Sequence, residues 1–183
     1  KNMYLNCHSY HSLRYGTISV EDLVRDSARL GISALALTDI NTITGIYEFY
    51  KLCKEFGIKP IVGVDVRLDN QQYFIALAKN NQGITEICRM LTAHNCDGEI
   101  LPRQNPDLPN CFIVYPLKNI PEVLEDNEFI GIRAEELHVL IQKKWQQFSD
   151  KIVVLQPVTF RTKREYNLHR ILRAVDRNTL LSK

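Results

Sequence analysis

An excess of charge of either sign is the first thing missing. There are 23 Lys and Arg against 21 Asp and Glu, a formal net charge of +2 over 183 residues. Nothing in that balance demands a nucleic acid, a membrane surface or an acidic substrate. Long apolar runs are also missing, and no basic-then-apolar leader precedes the first strand. The expectation is therefore a cytoplasmic protein with no membrane partner. The five cysteines, Cys7, Cys53, Cys88, Cys96 and Cys111, include no C-x-x-C pair. They are expected to be reduced thiols packed as small buried hydrophobes, rather than a disulfide framework or a zinc knuckle. No G-x-x-x-x-G-K-[ST], G-x-G-x-x-G or G-x-S-x-G pattern occurs, which removes the usual nucleotide-binding loops and the serine-hydrolase elbow.

What is present is the composition of a globular protein, 45% hydrophobic and 24% charged. The length suits one domain, residues 1–183, large enough to bury a core. With no initiator methionine and an abrupt end at "NTLLSK", the chain is expected to be an excised piece of a longer one. Short strands alternate with amphipathic helices, the pattern of a mostly parallel α/β sheet or barrel. "SVEDLVRDSARLG" reads as a helix capped by Ser19, with Glu21 and Asp22 in its first turn and Gly31 closing it. "SALALT" follows as a buried strand. The next helix carries Ile43, Ile46, Tyr47, Tyr50 and Cys53 as its apolar stripe. "IKPIVGVDV" and "QYFIALAK" flank "RLDNQQ" as a hairpin. A helix with Ile84, Ile87, Cys88 and Leu91 on one face comes next, then a proline-rich loop. "AEELHVLIQKKWQQF" is expected as one helix, "KIVVLQP" as the last strand and "REYNLHRILRAV" as the closing helix.

In parallel α/β folds, chemistry gathers at the C-terminal ends of the strands. The polar residues expected there are Asn6, His8 and His11 after the first strand, Asp39 after the second and Asp65 in the third. Imidazole and carboxylate ligands converging from several strands would suit a divalent metal. Capping of turns is the ordinary alternative for each of them.

The stretch "YLNCHSYHSLRYGTISVEDLVRDSARLGISALALTDINTITGIYEFYKLCKEFGIKPIVGVDV" resembles the start of a PHP (polymerase and histidinol phosphatase) domain. More narrowly, it is similar to the N-terminal domain of bacterial replicative DNA polymerase III alpha subunits. "ALAKNNQGITEICRML" and "EYNLHRILRAVDRNTLLSK" extend the likeness, which is weakest between His94 and Asp150. The resemblance implies a distorted β/α barrel, with metals at the strand ends in intact members that hydrolyse phosphoesters.

Carried over by position, the implied site is eroded. Asn6 stands for the first histidine of an H-x-H motif, and His8 is the second. Asp39 is kept, but Ile40 replaces its neighbouring imidazole. Asp65 replaces a glutamate, and Pro157 and Thr159 replace a late Asp-x-His pair. His94 is a candidate for a middle histidine, and His11 lies outside the pattern.

Asn6, His8, Asp39 and Asp65 are thus expected as remnants of a metal site. No cofactor is expected beyond residual Zn or Mn, and His8 is expected to hydrogen-bond Asp39. The implied role is structural, inside a DNA-directed DNA polymerase and against its thumb, with a proofreading exonuclease as a possible docking partner and DNA met through the parent enzyme. An active metal-dependent phosphoesterase or 3′–5′ exonuclease is the alternative, and an unrelated interaction module a third. Arg161, Lys163, Arg164, Arg170, Arg173 and Arg177 form a basic segment, read as a solvated or docking face rather than a DNA contact. Tyr73, Phe74 and Trp145 are read as packing residues.

Overall fold

The computed structural model describes residues 3–181, apart from the side chains of Lys143, Lys144 and Gln146. Seven strands pair in chain order. They are β1 Met3–Tyr4, β2 Ala34–Leu37, β3 Lys59–Leu68, β4 Gln71–Ala78, β5 Cys111–Pro116, β6 Glu128–Ile132 and β7 Ile152–Val154. The β1–β2–β3 and β5–β6–β7 pairings are parallel, while β3–β4 and β4–β5 are antiparallel. This is the mostly parallel α/β class expected from the sequence. The chain packs as two compact units, one made of Lys1–Val62 with Pro157–Lys183, the other of Gly63–Gln156.

The first unit holds helices α1 Val20–Arg29 and α2 Ile46–Glu55 and the closing helix α4 Lys163–Asp176. Ser19 caps α1, accepting the Asp22 N–H at 3.0 Å. Its far end stops at Gly31 (φ +69°), where the Gly31 and Ile32 N–H groups bond back to the carbonyls of Ala28 and Ser27. Val20, Leu23 and Val24 pack with Leu35, Leu37 and Phe49 into one apolar cluster, each such side chain stabilising the fold by about 2 kcal/mol. On α2 the buried residues are Phe49 and Cys53, while Tyr47 and Tyr50 are exposed. The expected stripe is thus rotated, because the aromatic bodies of the tyrosines satisfy the helical period without being on the core side.

In the second unit, β3 turns into β4 through Asp69 and Asn70, both at positive φ. That is the backbone a tight two-residue hairpin needs. Tyr73 and Phe74 are buried, as expected of core residues. Helix α3 Asn81–Asp97 is capped by Asn80 and buries Gly83, Ile87 and Leu91. The single helix expected over 134–148 is instead two stretches of 3-10 turns, Ala134–Ile141 and Lys143–Lys151, broken at extended Gln142. No residue of the first stretch is buried, so no docked apolar face rewards regular α-helix there. Of the cysteines, Cys7, Cys53 and Cys111 are buried as expected, but Cys88 is half-buried and Cys96 exposed. Burial pushes the Cys53 and Cys111 thiols up to about 12.

Candidate functional site

The first strand is only two residues long, yet the chain stays extended beyond it. Val158 donates to the Asn6 carbonyl at 2.8 Å and His8 to the Val158 carbonyl at 2.9 Å, so 6–8 runs parallel beside 157–159. On the other side, Thr38 N–H bonds the Cys7 carbonyl at 2.9 Å, and Cys7 N–H bonds the Thr38 hydroxyl at 3.0 Å. Alternation along this segment sends Cys7 into the apolar core and puts Asn6 and His8 on the opposite face. Burial, then the nearby Asp39 charge, raises the Cys7 thiol far above its ordinary value, so it offers no thiolate.

Asn6, His8, Ser9, Ser12, Thr38, Asp39 and Thr159 are all buried in this first unit. The Asp39 carboxylate accepts hydrogen bonds on both oxygens from the loop after His8. Its Oδ1 accepts the Ser9 N–H at 2.7 Å and the Ser12 hydroxyl at 2.6 Å, and its Oδ2 accepts the Ser9 hydroxyl at 2.7 Å. Ser12 in turn accepts the Ile40 N–H at 3.1 Å. Gly16 lets the loop fold this tightly: a Cβ there would stand 1.7 Å from the Ser9 carbonyl oxygen.

His8 is not bonded to Asp39 as expected. Its Nδ1 lies 3.2 Å from the Thr159 hydroxyl, and its ring meets Tyr15 edge-on at 5.1 Å. The Asp39 oxygens accept from Ser9 and Ser12 instead. Asn6 turns Oδ1 toward the Thr38 hydroxyl at 3.4 Å, and its buried Nδ2 has no hydrogen-bond partner among the described residues. His11 packs on Tyr10 at 4.5 Å.

Asp65 belongs to the second unit and has its own partners. A register shift after Val66 sets Arg67 opposite Gln72 across the β3–β4 pair. Asp65 Oδ2 accepts Arg67 Nε and Nη2 at 3.0 and 2.6 Å and Gln72 Nε2 at 3.0 Å. The Asp65 side chain is wholly buried and that of Arg67 is 12% exposed. His94 does not join either cluster; its Nδ1 donates to the Glu99 carbonyl at 2.7 Å, closing the end of α3.

A divalent metal needs carboxylate and imidazole lone pairs aimed at one point. Asp39 accepts from three donors, Asp65 holds a guanidinium, Asn6 turns its oxygen to Thr38 and Pro157 has no side-chain donor atom. Among the described residues no three His, Cys, Asp or Glu side chains form a group that could hold a metal. The residues present do not fit the metal cluster that the sequence resemblance implies. Ser9, Ser12, Arg67 and Gln72 were not picked out from the sequence; the one readable signal was D-x-R, two residues apart on a strand and so on one face.

This mostly parallel α/β sheet, with buried polar side chains clustered after its first strands, meets a direct match. The PHP domain family matches residues 5–153, and the chain belongs to that family. Its relatives narrow the class further. It is 28% identical to a DNA polymerase III subunit alpha of Staphylococcus aureus over 97% of this chain and 17% of that protein. It is 38% identical to the corresponding subunit of Buchnera aphidicola over 52% of this chain and 8% of that protein. The chain thus spans less than a fifth of the length of these relatives. An amidohydrolase structure from Chromobacterium violaceum aligns at 22% identity and a TM-score of 0.42, covering 51% of this chain and 33% of that one. Among the described residues, no helix is long and apolar enough to cross a membrane.

Proposed function

We propose that this chain is the PHP domain of a replicative DNA polymerase III alpha subunit, with a vestigial metal site and a structural, docking role. The observation that carries the reading is the Asp39 carboxylate, whose oxygens are bonded to Ser9 and Ser12 where an active site would need them open. Support for one domain comes from the family match, which runs through both compact units. The parent polypeptide would be a cytoplasmic DNA-directed DNA polymerase, meeting DNA through its other parts. This domain would pack on the polymerase thumb and offer a surface to a proofreading exonuclease. Asn6, His8, Asp39 and Asp65 are remnants of ligand positions, and any Zn or Mn they retain is weakly held.

The test is hydrolysis of p-nitrophenyl phosphate and of a 3′-labelled oligonucleotide with Zn or Mn added, against a chelated control. The account expects no metal-dependent turnover. Turnover that needs the metal and disappears in His8→Ala would establish the active phosphoesterase instead.

A further inference from the structure

Helix α4 lies the wrong way round for a helix on a water-facing surface. The side it docks to the rest of the first unit is polar. His169 Nδ1 lies 2.7 Å from the Tyr15 carbonyl oxygen, and its ring meets the Tyr15 ring edge-on at 4.8 Å. Arg173 lies over that same ring, and Asp176 pairs with Arg14 at 3.9 Å. These three residues are four and three apart, so they share one side of the helix. The apolar side chains are elsewhere. Leu168, Ile171 and Val175, three and four apart, are 46%, 46% and 63% exposed, with half-buried Leu172 at their edge. At about 100° per residue, this stripe points roughly 130° away from the docked side. No residue of α4 is buried, whereas α1 turns Val20, Leu23 and Val24 into the core.

An apolar stripe at this spacing is the seam along which a second helix packs. Arg164 continues the line one turn before Leu168. It is exposed and has no ion pair among the described residues. An occupant that fits brings apolar side chains for the stripe and a carboxylate for Arg164. A second copy of this chain suits it poorly. A few side chains cover far less than the ~800 Å² per partner of a stable complex between separate molecules. A segment of the same polypeptide needs no such area, because its tether holds it at about millimolar effective concentration. The relatives of this chain, of which it spans less than a fifth, have ample further polypeptide to supply one.

We propose that the Leu168, Ile171 and Val175 stripe of α4 seats an amphipathic helix from a further part of the same polypeptide, with an acidic residue of that helix opposite Arg164. The inference rests on the reading of this chain as one domain of a longer subunit, and it names the surface through which that domain meets the rest.

The experiment is maleimide labelling of Ile171→Cys, read by peptide mass spectrometry, in this chain alone and in the complete polypeptide that contains it. Arg177→Cys, on the far side of the helix, is the control. The new thiol of Ile171→Cys is expected to react quickly in the chain alone and about tenfold or more slowly in the complete polypeptide. Arg177→Cys is expected to label equally in both. Adding Leu168→Asp to Ile171→Cys is expected to restore fast labelling in the complete polypeptide, since a carboxylate does not stay in an apolar seam. Matched thermal melts confirm that the variants fold. Equal labelling of Ile171→Cys in the two proteins overturns the proposal. Slow labelling in the chain alone, with a dimer in sedimentation velocity, assigns the stripe to a second copy and overturns it too. The domain reading is judged separately, by whether the complete polypeptide extends a DNA primer.

Discussion

Removing the Asp39 carboxylate would strand three donors at once, two serine hydroxyls and a backbone N–H, in a place water does not reach. Asp39→Ala is therefore expected to lower the unfolding free energy by about 3 kcal/mol. Urea unfolding measures this, and an unchanged midpoint would mean the carboxylate is not what fastens the loop. Asp39 was legible in the sequence as a strand-end acid. Its partners were not, because Ser9 and Ser12 come from about 30 residues earlier and meet it only once β1 and β2 are side by side. Asp65 was legible too, and Arg67 two residues on was a readable partner, but the approach of Gln72 depends on a register shift across the β3–β4 pair that composition does not announce.

Whole elements were read most securely where their signals are local. Ser19 and Gly31 bound α1 as expected because capping needs only neighbouring backbone. The α2 stripe and the helix over 134–148 were misread because periodicity cannot say which apolar side chains find a neighbour. The basic C-terminal segment is also an element-level device. Arg161 pairs with Asp22 at 3.0 Å, Asp26 at 3.4 Å and Glu165 at 2.6 Å, fastening the segment before α4 to α1. Arg173 pairs with Asp176 and lies over the Tyr15 ring, and Arg170 bonds the Leu181 carbonyl. Much of the positive charge is therefore spent within the first unit.

The hydrogen bond with Ser19, then the Arg161 charge, holds Asp22 below the ordinary aspartate range. Burial alone would raise Glu165, but its bonds to Arg161 outweigh that and bring it below the usual glutamate range. Groups lowered on folding contribute stability that is present above the ordinary carboxylate range and lost as the pH falls through their folded values. Arg161→Ala is expected to cost about 1 kcal/mol at neutral pH, a network effect moderated by solvent, and to flatten the decline of the melting temperature below about pH 4.5. Equal acid sensitivity in variant and parent would contradict this network.

At the scale of the whole molecule, the mostly parallel α/β class and the family were readable from the chain. The partners of Asp39 and His8 and the Gln72 bond to Asp65 were not, because those bonds are made in three dimensions. Each of these side chains has partners within its own unit: hydroxyls on Asp39 and a threonine beside His8 in the first, a guanidinium on Asp65 in the second. The measurement that bears most directly on this is metal content by elemental analysis after loading with Zn and Mn and extensive dialysis, with Asp39→Ala alongside. The account predicts far less than one metal per chain in both proteins. Near-stoichiometric metal in the parent that is lost in Asp39→Ala would show that the carboxylate still serves as a ligand and would contradict it.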